Sequence, residues 1–160
     1  MIRAGNNVAI IRLSNSYWAA FFTHMPQIRR RARDTLAVLV IEDDLDARRI
    51  YSEYLRMKGW TVFTAPDGRS GLDKTTELTP DVLVLDLAMP KVDGWTVLKL
   101  VRESSLTAHM PVVVVSAVAD SRDEAYIAGC DAYLTKPCSP EVLYLQIRAL
   151  MRLRGAMMSA

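Results

Sequence analysis

Val82-Leu83-Val84-Leu85-Asp86-Leu87-Ala88-Met89-Pro90-Lys91-Val92-Asp93-Gly94 decides how the rest of the chain is read. Four consecutive β-formers with no polar alternation describe a strand buried on both faces. The strand ends on a carboxylate, Asp86, and a loop punctuated by Pro90 and Gly94 follows. A carboxylate at the tip of a buried strand is held rigidly and still reaches solvent. Two further strand ends carry reactive side chains. Leu36 to Ile41 runs into Glu42-Asp43-Asp44, and a short run from Ala132 to Leu134 is followed by Lys136-Pro137. Two acidic clusters and a lysine, each at a strand end, point to a divalent cation and a phosphoryl group.

Outward from this stretch, strand and helix signals alternate five times. Strands are expected at Leu36–Ile41, Trp60–Ala65, Val82–Leu85, Pro111–Val115 and Ala132–Leu134. Helices are expected at Asp44–Lys58, Asp67–Leu78, Gly94–Glu103, Arg122–Ala128 and Pro140–Leu153, with Gly59, Thr79-Pro80 and Gly129 as stop signals. Asp44 and Ser139 have the character of helix N-caps. Strand-helix alternation with continuous Val/Ile/Leu strands means an α/β fold, a parallel sheet covered by helices on both faces. Ligands of such sheets lie beyond the carboxyl ends of the strands. Asp43, Asp86, Ser116 and Lys136 all fall at or just past those ends.

The donor set is hard. Glu42, Asp43 and Asp86 would concentrate negative charge, with no Cys/His cluster to attract a softer metal, so Mg2+ is the cation expected. Beside it, the Asp86 carboxylate can attack phosphorus while Lys136 acts as a point charge and the Ser116 hydroxyl bonds a phosphoryl oxygen.

Bulk properties agree with a soluble globule. The 160 residues are 51% hydrophobic and 24% charged, with a net charge of +2. That charge is unevenly placed. Residues 1–34 hold six arginines against Asp34, giving +5 and leaving −3 for the remainder. The basic balance therefore says little about nucleic acid binding by the main domain. Cys130 and Cys138 read as reduced thiols of a cytoplasmic protein, and His24 and His109 lie near no acidic cluster. No run reaches the roughly 18 apolar residues of a membrane span, and Tyr17 to Phe22 is too short, so no transmembrane segment is expected.

Residues 1–34 read as a basic, flexible N-terminal extension, 35–155 as the domain and 156–160 as a short tail. Val8, Ile11, Trp18, Phe22 and Met25 keep helical spacing, so a membrane-surface or partner-docking helix is one reading of the extension. The favoured one is a mobile tail, or residues translated from an upstream start with Met25 as the true one.

Four motifs carry a family resemblance: Val40-Ile41-Glu42-Asp43-Asp44, Val84 through Gly94, Val115-Ser116-Ala117 and Tyr133-Leu134-Thr135-Lys136-Pro137. In this order, over roughly residues 35–154, the chain resembles the receiver domain of two-component response regulators, of the stand-alone, chemotaxis-regulator kind. The resemblance implies a flavodoxin-like, doubly wound five-stranded parallel sheet of order 2-1-3-4-5. It implies Asp86 as phosphoacceptor and Glu42, Asp43, Asp86 and the Ala88 backbone carbonyl as Mg2+ ligands. Ser116 and Tyr133 would be the switch pair, and the Lys136–Pro137 peptide would be cis.

A sensor histidine kinase or phosphotransfer protein would donate the phosphoryl group in a phosphorelay. A downstream protein would read the fourth-helix, fifth-strand, fifth-helix face. No direct DNA-binding output domain is expected within these residues. Cys138 stands where the family often has a bulky aromatic, which implies looser packing. Ala132 and Gln146 stand where the winged-helix transcription factors of the family pair an acid with a base, which argues against their symmetric dimer. A Mg2+-dependent aspartyl-phosphate phosphohydrolase is the competing reading. It is disfavoured because such hydrolases carry an acid two residues after the nucleophile, where this chain has Ala88.

Overall fold

The computed structural model describes residues 35–158. The readings made for residues 1–34, and for the end of the tail, lie outside the described residues. Five strands form one parallel sheet in the order β2-β1-β3-β4-β5. They are β1 (Ala37–Ile41), β2 (Thr61–Ala65), β3 (Val82–Leu85), β4 (Val112–Ser116) and β5 (Ala132–Thr135). The connecting helices are α1 (Leu45–Met57), α2 (Gly68–Leu78), α3 (Gly94–Glu103), α4 (Arg122–Ile127) and α5 (Pro140–Met158), with a 3-10 turn at Ala119–Ser121 ahead of α4.

Continuous apolar strands pay off on both faces because side chains alternate along a strand. Leu39, Ile41, Leu83, Leu85, Val112 and Val114 pack with Val97, Leu98, Val101 and Ala125 on one face. Val38, Val40, Val82, Val84, Val113 and Val115 pack with Tyr51, Leu55, Leu143 and Ile147 on the other. Each strand thus splits by parity between two cores.

Boundaries follow from backbone hydrogen bonding. Asp44 and Asp67 stand outside their helices as caps, accepting from Ala47 N at 2.7 Å and Ser70 N at 2.8 Å. Ser139 caps α5 through Val142 N at 3.2 Å. Pro111 lies just before β4, where its carbonyl accepts from Leu83 N at 2.9 Å. β4 and β5 each run one residue past the expected end, because Ser116 pairs with Thr135 and its carbonyl accepts from Lys136 N at 2.8 Å. The last helix continues to Met158 rather than stopping at Leu153. A single interior glycine, Gly155, costs only about 1 kcal/mol and does not end a helix.

The segment after Lys136 is tied to α1. Tyr51, buried on α1, donates its hydroxyl to the Cys138 carbonyl at 3.2 Å. Cys138 packs against the cluster that contains Tyr51. The Lys136–Pro137 peptide is cis. No described helix is long and apolar enough to cross a membrane.

Candidate phosphoryl and cation site

The register of the sheet brings three strand ends together. Ile41 pairs with Leu85, so Glu42-Asp43 and Asp86 emerge side by side. β4 and β5 then deliver Ser116 and Lys136 to the same rim. Carboxylate oxygens of Glu42, Asp43 and Asp86 lie within 4.8 Å of one another. Glu42 and Asp86 are buried and Asp43 is exposed, so the cluster opens outward through Asp43.

Lys136 joins two of the acids. Its Nζ lies 2.6 Å from Asp86 Oδ2 and 2.7 Å from Glu42 Oε2. Burial alone would lower the ammonium's pKa, but hydrogen bonds to Asp86 and Glu42 outweigh it and raise the pKa. Lysine therefore stays charged. Burial pushes the Glu42 carboxyl up to about 7, against the lowering pull of the Lys136 hydrogen bond, and the Asp86 charge adds to the rise. One ammonium among three carboxylates leaves the rim short of positive charge. An all-oxygen donor set with one exposed member suits a hard divalent cation, so the residues fit Mg2+.

The backbone around Asp86 is close-fitted. Asp86 Oδ1 accepts from Ala88 N at 3.0 Å, so the loop holds the carboxylate in place. Ala88 itself is exposed at the rim. Gly94 N donates to the Leu87 carbonyl at 3.1 Å, and a Cβ at Gly94 would lie 2.1 Å from the Asp86 carbonyl oxygen. Only glycine lets α3 begin there.

Ser116 is fully buried and its hydroxyl accepts from Val118 N at 3.4 Å. Tyr133 is also buried. Its hydroxyl donates to the Val118 carbonyl, and the Arg122 guanidinium lies 5.6 Å from its ring centre.

Two contributors escaped the sequence reading. Arg48 Nη1 donates to the Glu42 carbonyl at 2.6 Å and the Asp43 carbonyl at 3.0 Å. Tyr51 anchors the segment just past Lys136. Both lie on α1, where an arginine reads as surface and a tyrosine as core, and only the i, i+3 spacing that sets them near one face hints at a shared task.

The geometry separates Asp43 from its neighbour. Asp44 is committed to capping α1, whereas the Asp43 carboxylate belongs to the acidic cluster. Asp43→Ala is expected to abolish Mg2+-dependent phosphorylation. Asp44→Ala is expected chiefly to lower stability, by about 0.5–2 kcal/mol. Calorimetric Mg2+ titration beside thermal melts checks this, and equal loss of metal affinity in the two variants would contradict it.

Residues 38–148 match the response regulator receiver domain family. Among curated proteins, the chain is 38% identical over 117 residues to the DNA-binding dual master transcriptional regulator RpaA of Synechocystis, covering 72% of this chain and 48% of that one. It is 40% identical over 121 residues to the transcriptional regulatory protein PrrA of Mycobacterium leprae, covering 74% and 51%. The chain thus spans about half the length of the curated relatives it matches. Among solved structures, the chemotaxis response regulator CheY4 of Vibrio cholerae superposes with a TM-score of 0.68 at 29% identity, over 72% of this chain and 98% of that one. The Francisella response regulator 1452 receiver domain gives 0.70 at 30% identity, over 75% and 99%.

Proposed function

Because the chain belongs to the response regulator receiver domain family, we propose that Asp86 is its phosphoacceptor in two-component signalling. The observation that carries this is the Lys136 ammonium bridging Asp86 and Glu42, which draws three strand ends into one site. A carboxylate oxygen of Asp86 forms the new bond to phosphorus as the bond to the donor breaks. The donor is a sensor histidine kinase or a phosphotransfer protein. Lys136 stays protonated and neutralises the phosphoryl oxygens, and Ser116 gives one of them a hydroxyl hydrogen bond. Glu42, Asp43, Asp86 and the Ala88 carbonyl are the Mg2+ ligands. When bound, the cation supplies charge neutralisation to the transferring group. Ala88 has no acidic side chain to protonate a leaving alcohol, so the reading is a signalling domain rather than a phosphohydrolase.

Readout runs through Ser116 and Tyr133. Moving the Ser116 hydroxyl toward a phosphoryl oxygen frees Val118 N and biases the Val118 loop, whose carbonyl holds the Tyr133 hydroxyl. The phosphorylated state then favours the inward ring that this structure already holds. A ligand shifts such an equilibrium only by its differential affinity for the two states. The face formed by α4, β5 and α5 carries exposed Tyr126, Val142 and Leu145, and a downstream protein docks there. The domain works in the cytoplasm, where its donor and Mg2+ are available.

Acetyl phosphate tests the chemistry directly. With Mg2+, intact mass should rise by one phosphoryl group per chain, removable by hydroxylamine, and EDTA should prevent it. Labelling that persists in EDTA, or a parent chain that takes no label, would overturn the proposal.

A further inference from the structure

We infer that Arg48 is a positioning residue that holds the backbone of the acidic pair in the bend that turns Glu42 and Asp43 toward one cation. The inference rests on the proposed Mg2+ role of that rim. Adjacent residues of a strand project to opposite faces, so two neighbouring acids share a ligand only if the strand stops between core and rim. The β1 ladder does stop, with Ile41 paired to Ala65 on one side and Leu85 on the other. Glu42 still donates its N–H to the Ala65 carbonyl at 3.1 Å. Its own carbonyl, and that of Asp43, turn instead toward α1.

Arg48 meets both. One guanidinium nitrogen, Nη1, donates at 2.6 and 3.0 Å. The half-buried Glu42 carbonyl needs such a partner, and the same side chain also reaches the exposed Asp43 carbonyl. The backbone that carries the arginine is fixed, because its N–H bonds the Asp44 carbonyl at 3.0 Å in the first turn of α1. Asp44 in turn caps that helix and donates its own N–H to Glu42 Oε1 at 3.3 Å. Residues 42 to 48 therefore close on themselves. Arg48 binds carbonyls at these contacts, so it orients the acids without occupying their carboxylates. Loss of a group that orients metal ligands typically costs about 10–100-fold in metal affinity.

Three variants test this in the full chain: Arg48→Ala, Arg48→Gln and Arg48→Lys. In the metal-free protein, Arg48→Ala should speed amide hydrogen exchange at Glu42 and Asp44, whose N–H groups are bonded in the parent, while Val113 in β4 stays as in the parent. Calorimetric titration should show Mg2+ binding weakened by about 10-fold or more. Acetyl phosphate labelling should approach the parent's at saturating Mg2+, since Asp86 and Lys136 are untouched. Arg48→Lys keeps a cationic donor and should recover most of the loss, and Arg48→Gln should recover less. Parent-like exchange and parent-like Mg2+ affinity in Arg48→Ala would overturn the inference. If the alanine variant does not fold, parent-like values in Arg48→Gln overturn it equally. A parent protein that binds no Mg2+ counts against the reading of the rim, and amide exchange still decides the tether.

Discussion

Asp86→Asn is expected to fold like the parent and to take up no phosphoryl group from acetyl phosphate and Mg2+. The asparagine keeps the shape of the side chain, and its amide oxygen can still accept from Ala88 N, the bond that Asp86 makes at 3.0 Å. What it lacks is the nucleophile. Glu42 and Asp43 lie within the same cluster, but neither can replace it. Glu42 is buried with its oxygens held by Lys136 and Asp44 N, and Asp43 has no lysine within ion-pair reach among the described residues. Loss of label should therefore be complete rather than partial. Intact-mass measurement over a time course decides it, and label at the parent's level in Asp86→Asn would remove the assignment.

Among the described glycines, Gly94→Ala should do the greatest structural harm. The new Cβ would lie 2.1 Å from the Asp86 carbonyl oxygen and 2.5 Å from Leu87 Cα. These are backbone atoms at the end of a central strand, so no rotamer change relieves the overlap. Overpacking of this kind costs about 1–3 kcal/mol, and the backbone clash argues for the upper end. The melting temperature should fall by about 10 °C, and labelling of Asp86 should slow because relief of the clash shifts the strand end that carries it. Gly59 supplies the contrast. Its φ is +85°, but a Cβ there meets nothing within 4 Å, so Gly59→Ala should cost only the left-handed penalty of about 1–2 kcal/mol and leave labelling at the parent's rate. Equal effects of the two alanines on labelling would show that α3 does not seat Asp86.

These two glycines also show where sequence reading reaches its limit. Gly59 announced a helix end by position, and the helix ends there. Gly94 was legible as a loop punctuator, but not as the residue on which α3 and the Asp86 carbonyl close. Strands were legible because Val82-Leu83-Val84-Leu85 and its counterparts have no polar positions, which only a doubly covered sheet explains. The rim was legible because Glu42, Asp43, Asp86 and Lys136 each follow such a run. Arg48 and Tyr51 were not, since their roles are set by backbone carbonyls, and a carbonyl leaves no mark on composition. Tyr51 reaches the Cys138 carbonyl from 87 positions earlier, a contact that nothing in the local sequence announces.

The strand order has a consequence for how the chain reaches this state. Every pairing in the sheet is parallel, so none can form as a local hairpin, and each requires closure over an intervening helix. Contacts of this kind charge their loop entropy before they return any stability, which slows folding. The toll is unevenly spread. β2, β1 and β3 come from residues 37–85 and sit side by side, with Asp81 Oδ2, just before β3, accepting from Ala37 N of β1 at 2.8 Å. β4 and β5 then add one after the other along a single edge. During synthesis the first three strands emerge ahead of β4, and once paired they present its docking edge. Nascent chains can therefore assemble the acidic end of the site first and receive Ser116 and Lys136 last, so the charge cluster gains its lysine only as the sheet is completed.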